Sequence, residues 1–149
     1  MQIPNQFPQF KDKKVLLAVF GNQSGIFYVA QNGILDKIKE IEVENPKYSE
    51  KEGFFASGPG GTTVVGSLKE IPKQEIQHSF MRQASQFIND FNKKEIIDEI
   101  YLYCAPEIIK EFKEELPNEI QNIIKKETRG TYLRSTPIEL LELISTNNQ

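Results

Sequence analysis

The sequence predicts an α/β fold: a single five-stranded mixed sheet with helices packed on it, in the order β-β-β-α-β-α-β-α. Three observations predict it. Ile76, Phe80, Ala84, Phe87, Ile88 and Phe91 fall at i, i+4, i+8, i+11, i+12 and i+15, one apolar stripe at the helical period. Such a face needs a wide apolar partner, most simply a sheet. Val15–Phe20 and Ile100–Cys104 are continuous apolar runs, as expected of strands covered on both faces. Between the first run and the helix, two short connections in succession imply an antiparallel meander.

Taken in order, residues 1–12 carry Pro4, Pro8 and no sustained period, which reads as a loose arm with Phe7 and Phe10 able to pin it. The single domain then spans 13–146. After the first strand comes the turn cluster Gly21–Gly25, then a second strand over Ile26–Ala30. Asn32-Gly33 is a strong hairpin signal, and a third strand follows within Ile34–Val43. Residues 45–72 form a long glycine-rich connection, far beyond the common loop length and therefore either functional or disordered. Pro72 opens the main helix, with Glu75 in its first turn, where a carboxylate suits the helix dipole. Ile100–Cys104 is the fourth strand, Glu107–Leu116 an amphipathic helix, and Ile120–Ile124 begins a fifth strand, whose continuation through Lys125 to Arg129 the sequence leaves open. Thr136-Pro137-Ile138-Glu139 combines an N-cap, a proline at the first helical position and a capping-box glutamate, starting a last helix. Residues 147–149 read as a frayed tail. The two strands that return through helices should run parallel to a neighbour.

At 149 residues the chain is one domain by size, with 38% hydrophobic and 26% charged residues and a formal charge of −3. That charge argues against wholesale binding to nucleic acid or an anionic membrane. It is uneven, however: residues 1–94 hold 12 Lys/Arg against 10 Asp/Glu, and residues 95–149 hold 6 against 11. A local basic surface near the main helix fits this asymmetry. The single cysteine, Cys104, excludes an internal disulfide and reads as a small core hydrophobe. No apolar stretch approaches the roughly 18 residues of a membrane span, and the N-terminus lacks a signal-peptide core. The expectation is a cytoplasmic protein.

The stretch Ser57-Gly58-Pro59-Gly60-Gly61-Thr62-Thr63 is the most suggestive chemically. Its glycines expose backbone N–H groups and permit close approach to phosphate. A nucleoside-triphosphate loop would need a lysine directly after the glycines, and none occurs until Lys69. His78 and Arg82 lie one turn apart on the polar face of the main helix, a position open to a general base, to an RNA-phosphate contact or to the plain solvation usual for a lone exposed histidine. One histidine and one cysteine make a transition-metal site improbable, and no cofactor is implied. The helix acids Glu107, Glu111, Glu114 and Glu115 read as a solvated face. The absence of acids from Val15–Phe20, Ile26–Ala30 and Ile100–Cys104 counts against a metal-dependent nuclease.

Over residues 13–145, four patterns carry a family resemblance: Val15–Phe20, the helix around His78–Phe91, Ile100–Pro106 with its following helix, and Leu133–Leu141. Together with the glycine-rich insertion after the third strand, they resemble the middle domain of archaeal and eukaryotic peptide-chain release factors. More closely, the chain is similar to short bacterial relatives of that domain, including the host attachment protein family. In release factors the equivalent loop carries Gly-Gly-Gln, which enters the ribosomal peptidyl-transferase centre and promotes peptidyl-tRNA hydrolysis. Here Gly60-Gly61 is followed by Thr62. The resemblance therefore implies a ribosome- or RNA-associated module, in translation rescue or dormancy, that binds without hydrolysing. Gly58, Gly60, Gly61, Thr62, Lys69, His78 and Arg82 are the binding residues this reading selects. The alternative is a protein–protein adaptor linked to host-cell attachment, which predicts an apolar patch around Phe54 and Phe55.

Overall fold

The computed structural model describes residues 1–43 and 73–146. Its strands are β1 (Val15–Phe20), β2 (Ser24–Gln31), β3 (Ile34–Glu42), β4 (Glu99–Cys104) and β5 (Ile124–Arg129). They form one five-stranded sheet in the order β3-β2-β1-β4-β5. β1 pairs antiparallel with β2, and β2 with β3, while β1–β4 and β4–β5 are parallel. This is the mixed sheet that the apolar runs predict. The helices are α1 (Lys73–Lys94), α2 (Pro106–Glu114), a single turn α3 (Asn118–Gln121) and α4 (Pro137–Thr146). The long glycine-rich connection and the expected frayed tail lie outside the described residues.

β1 and β4 are buried on both faces because they occupy the middle of the sheet. Alternate residues then serve two separate cores. Leu16, Ala18 and Phe20 of β1 join Ile100, Leu102 and Cys104 of β4 under α1 and α2. Val15, Leu17 and Val19 join Tyr101 and Tyr103 on the opposite face, under α4 and the N-terminal segment.

On the first face, α1 buries Ile76, Phe80, Met81, Ala84, Ser85 and Ile88. Phe20 stands at the centre of an aromatic cluster, edge-on to Phe80 at 5.0 Å and to Phe112 of α2 at 4.8 Å. Gly25 is required there: a Cβ would lie 2.7 Å from the rings of both Phe20 and Phe80. Phe87 and Phe91 belong to the predicted stripe but are only half-buried, on the rim of α1 that faces β3.

The second face corrects one expectation. Residues 1–12 are not a loose arm. Ile3, Phe7 and Phe10 are 4%, 9% and 8% exposed. The Gln9 side-chain amide donates to the carbonyls of Ile3, Pro4 and Phe7, winding the segment on itself. Its backbone is tied to the β2–β3 hairpin by Ile3 N–H to Gly33 O at 2.7 Å and Gly33 N–H to Gln9 O at 2.8 Å. Asn32 and Gly33 take positive φ values of 47° and 80°, as an Asn-Gly hairpin turn demands. Anchors supplied by one glutamine and a distant turn leave no period in the sequence. On the same face α4 inserts Leu140, Leu141 and Ile144. Its capping box forms as expected, with Thr136 N–H donating to Glu139 Oε1 at 2.7 Å and Glu139 N–H to Thr136 Oγ1 at 3.2 Å.

The fifth strand is also displaced. The segment expected as strand, Ile120–Ile124, begins instead as the helical turn α3, and the strand runs from Ile124 to Arg129. Pro117 occupies the N-cap of that turn, and Ile120 drops into the first core. β5 is an edge strand with the sequence IKKETR. Charge on an edge suppresses unwanted pairing, and it also removes the apolar signature from which a strand is read.

Candidate functional site

Three parallel strands, β1, β4 and β5, deliver their carboxyl ends to one side of the sheet. In open α/β sheets this is where ligands bind. The chain builds that side from turns. After β1, Gly21 N–H donates to Ser24 O at 2.8 Å, closing the turn that carries Asn22 and Gln23. Gln23 then clasps the end of β3 from two directions. Its backbone carbonyl accepts from Val43 N–H at 2.9 Å, and its side-chain amide donates to Val43 O at 3.0 Å. Gln77, in the second turn of α1, donates to Asn22 Oδ1 at 3.4 Å. Val43 is the last described residue before the glycine-rich connection, and Lys73 is the first after it. Both flanks of that connection are thus moored to the same short turn, at the carboxyl end of β1.

After β5 the chain makes a second fixed turn. Gly130 N–H donates to Cys104 O at 3.1 Å, and its φ of +145° suits glycine. Tyr132 stands edge-on to the buried Tyr103 at 5.9 Å and donates its hydroxyl to Arg129 O at 3.3 Å. Leu133 packs so near Gly21 that a Cβ there would come within 2.3 Å of Leu133 Cδ1. The exposed Arg129 and Arg134 therefore project from a backbone held at several points. β5 lies two strands from β1, about 10 Å across the sheet.

Of the residues predicted from sequence, Gly58, Gly60, Gly61, Thr62 and Lys69 lie outside the described residues. His78 and Arg82 are exposed on α1, one helical turn apart. The structure places Arg82 along the groove between α1 and β3, beside Glu42, Gln83 and Gln86. Arg129 and Arg134 were not singled out by sequence reasoning. The signal available was Gly130 at the carboxyl end of a parallel strand, obscured because the charged run Lys125–Arg129 leaves the end of that strand open in the sequence.

Cys104 is fully buried, and burial, with Glu127 and Glu107 adding to it, pushes its thiol up to about 12. Burial likewise raises the Tyr103 hydroxyl, which donates to Leu140 O at 3.0 Å. Glu99 lies at the amino end of β4, within 3.0 Å of Lys13 and 3.4 Å of Lys125. Among the described residues no three His, Cys, Asp or Glu side chains gather as a metal site. No helix among them is long and apolar enough to cross a membrane.

The architecture defines a class: an α/β domain with a mixed five-stranded sheet and helices on both faces. Among solved structures the chain is similar to one titled only as an archaeal protein, with a TM-score of 0.54 and 13% identity over 91% of this chain and 34% of that one. A crystal structure of the archaeal translation termination factor aRF1 gives a TM-score of 0.49 and 11% identity, over 91% of this chain and 38% of that one. The first likeness shows a shared fold. The chain spans a little over a third of the length of these proteins. No protein-family model and no curated protein matches it, so the resemblance to the host attachment protein family finds no support there.

Proposed function

We propose that this chain is a non-catalytic module that associates with the ribosome or its RNA, acting in translation rescue or dormancy. It presents its glycine-rich stretch from the carboxyl end of the sheet. One observation carries the reading. Both flanks of the stretch are fixed at Asn22 and Gln23, at the end of the sheet where Arg129 and Arg134 stand exposed. Backbone N–H groups of Gly58, Gly60, Gly61 and Thr62 would approach phosphate closely, while Lys69, His78, Arg82 and the two arginines supply charge. Peptidyl-tRNA hydrolysis is not expected, because Thr62 stands where the release-factor motif has glutamine.

Co-sedimentation with purified ribosomes tests this, using the wild type and a deletion of Ser57–Thr63. The wild type should pellet with ribosomes at low salt and be released as salt rises, because phosphate contacts displace counterions. The deletion should pellet at least several-fold less. Equal pelleting of the two proteins would remove the glycine-rich stretch from the mechanism, and no pelleting of either would end the ribosomal reading.

A further inference from the structure

The end of the sheet opposite Arg129 holds a second collection of charge. At the amino ends of β4 and β5 the chain leaves a recess of about 360 Å³, with Lys11, Lys13, Glu99 and Lys125 around it. Phe10 and Tyr101, packed edge-on at 6.1 Å, line it from below. The volume falls at the lower end of small-ligand sites, which run from about 300 to 1,000 Å³.

Two local irregularities bring the lysines there. Phe10 and Asp12 take positive φ values of 50° and 58°, on either side of Lys11. Bulky side chains rarely adopt that conformation, and here hydrogen bonds hold it. Lys13 N–H donates to Phe10 O at 3.4 Å, closing the turn. Asn32 N–H donates to Phe10 O at 3.1 Å and Asp12 N–H to Asn32 Oδ1 at 2.8 Å, locking the turn to the β2–β3 hairpin. On the other side, the β4–β5 register skips from Ile100–Ile124 to Tyr101–Lys126, so Lys125 is the extra residue of a β-bulge. Bulges re-aim side chains. Lys125 reaches Glu99 Oε2 at 3.4 Å, the same oxygen that Lys13 reaches at 3.0 Å.

Charge within the recess does not balance. Three ammonium groups stand around one carboxylate, and two of them share it. Lys11 is exposed and ion-paired with no described residue. The neighbouring acids do not offset the excess. Glu95 pairs with Lys14, Asp98 accepts the Lys14 backbone N–H at 2.7 Å, and neither of them nor Asp12 lines the recess.

We infer that this recess binds a doubly charged phosphate group, carried by a small phosphomonoester or present as the free ion. Three lysines against one glutamate leave two positive charges, which a dianion neutralises. A phosphomonoester carries nearly two negative charges at neutral pH, whereas a phosphodiester carries one. Glu99, only 17% exposed, holds Lys13 and Lys125 side by side, and the turn that presents Lys11 is fixed before any ligand arrives. Little order is therefore lost on binding. The recess lies at the other end of the sheet from Arg129, and its test does not depend on ribosome binding.

Phenyl phosphate, inorganic phosphate and dimethyl phosphate are titrated separately into the isotope-labelled chain at low salt and pH 7.5, and amide chemical shifts are followed by NMR. The two dianions should move the amides of Lys11, Lys13, Glu99 and Lys125 saturably, at least tenfold more tightly than the singly charged dimethyl phosphate. Tighter binding of phenyl phosphate assigns the recess to an organic monoester, and inorganic phosphate binding at least as tightly assigns it to the free ion. A Lys11→Ala/Lys125→Ala variant should lose at least tenfold. A Lys37→Ala/Lys39→Ala variant, which removes the same charge from β3, should bind like the wild type. All four side chains are exposed, so the fold should survive, and circular dichroism checks it. No saturable binding, equal weakening in both variants, or dimethyl phosphate binding as tightly as the dianions would overturn the proposal.

Discussion

The two faces of this sheet are closed by different kinds of chain. One is covered by α1 and α2, whose apolar residues recur at the helical period. The other is covered by α4 and by an N-terminal segment with no period at all, held by Gln9 and the Asn32-Gly33 turn. Both bury apolar side chains to a similar degree, with Phe80 fully covered on one side and Leu140 on the other. The difference lies in what supplies the order. A helical face carries its own local hydrogen bonds and needs only a partner surface. An irregular segment must obtain each backbone partner from elsewhere, one bond at a time.

The largest expected effect tests the helical face. Phe80→Ala should cost about 3–5 kcal/mol in a denaturant titration, because it empties the site between Phe20 and Gly25. A loss below about 1 kcal/mol would break the assignment of α1 as the core helix. Phe87→Ala should cost clearly less, since that ring lies half-exposed at the rim. On the other face, Leu140→Ala should cost about 2–5 kcal/mol. A near-neutral result would mean that α4 is a peripheral addition and that the two faces are unequal.

Single contacts on each face should have smaller effects. Gly25→Ala should destabilise by about 1–3 kcal/mol through overpacking against Phe20 and Phe80. Tyr103→Phe, on the opposite face, removes the donor to Leu140 O and should cost about 1 kcal/mol. The smallest change is a matter of pH. Burial raises the Cys104 thiol from 9.0 to about 12. The unfolded chain therefore loses its thiol proton first, and stability should fall as pH rises from about 9 towards that value. Native Cys104 should resist iodoacetamide at pH 8.5, whereas protein unfolded in denaturant should react readily.

How much of this was legible follows the same division. The stripe from Ile76 to Phe91, the two central strands, the Asn32-Gly33 hairpin and the Thr136–Glu139 capping box are local patterns, and each appears where its pattern stands. Residues 1–12 were illegible because their partners are distant in sequence. β5 was misplaced because an edge strand is charged and because Ile120, though apolar, belongs to a helical turn. The half-burial of Phe87 and Phe91 depends on the width of the sheet, which a single helix cannot report. Of the candidate site, the glycine-rich stretch and the polar face of α1 were readable. Arg129 and Arg134 emerge only once β5 ends beside Gly130.

We propose that the carboxyl end of the sheet contacts ribosomal phosphate. The most direct measurement is the salt dependence of ribosome binding, with the wild type set against an Arg129→Ala/Arg134→Ala variant. If both arginines meet phosphate, the variant should bind more weakly, and its slope of log affinity against log salt should be shallower by roughly 1 to 2. The same affinity and the same slope in both proteins would contradict the claim.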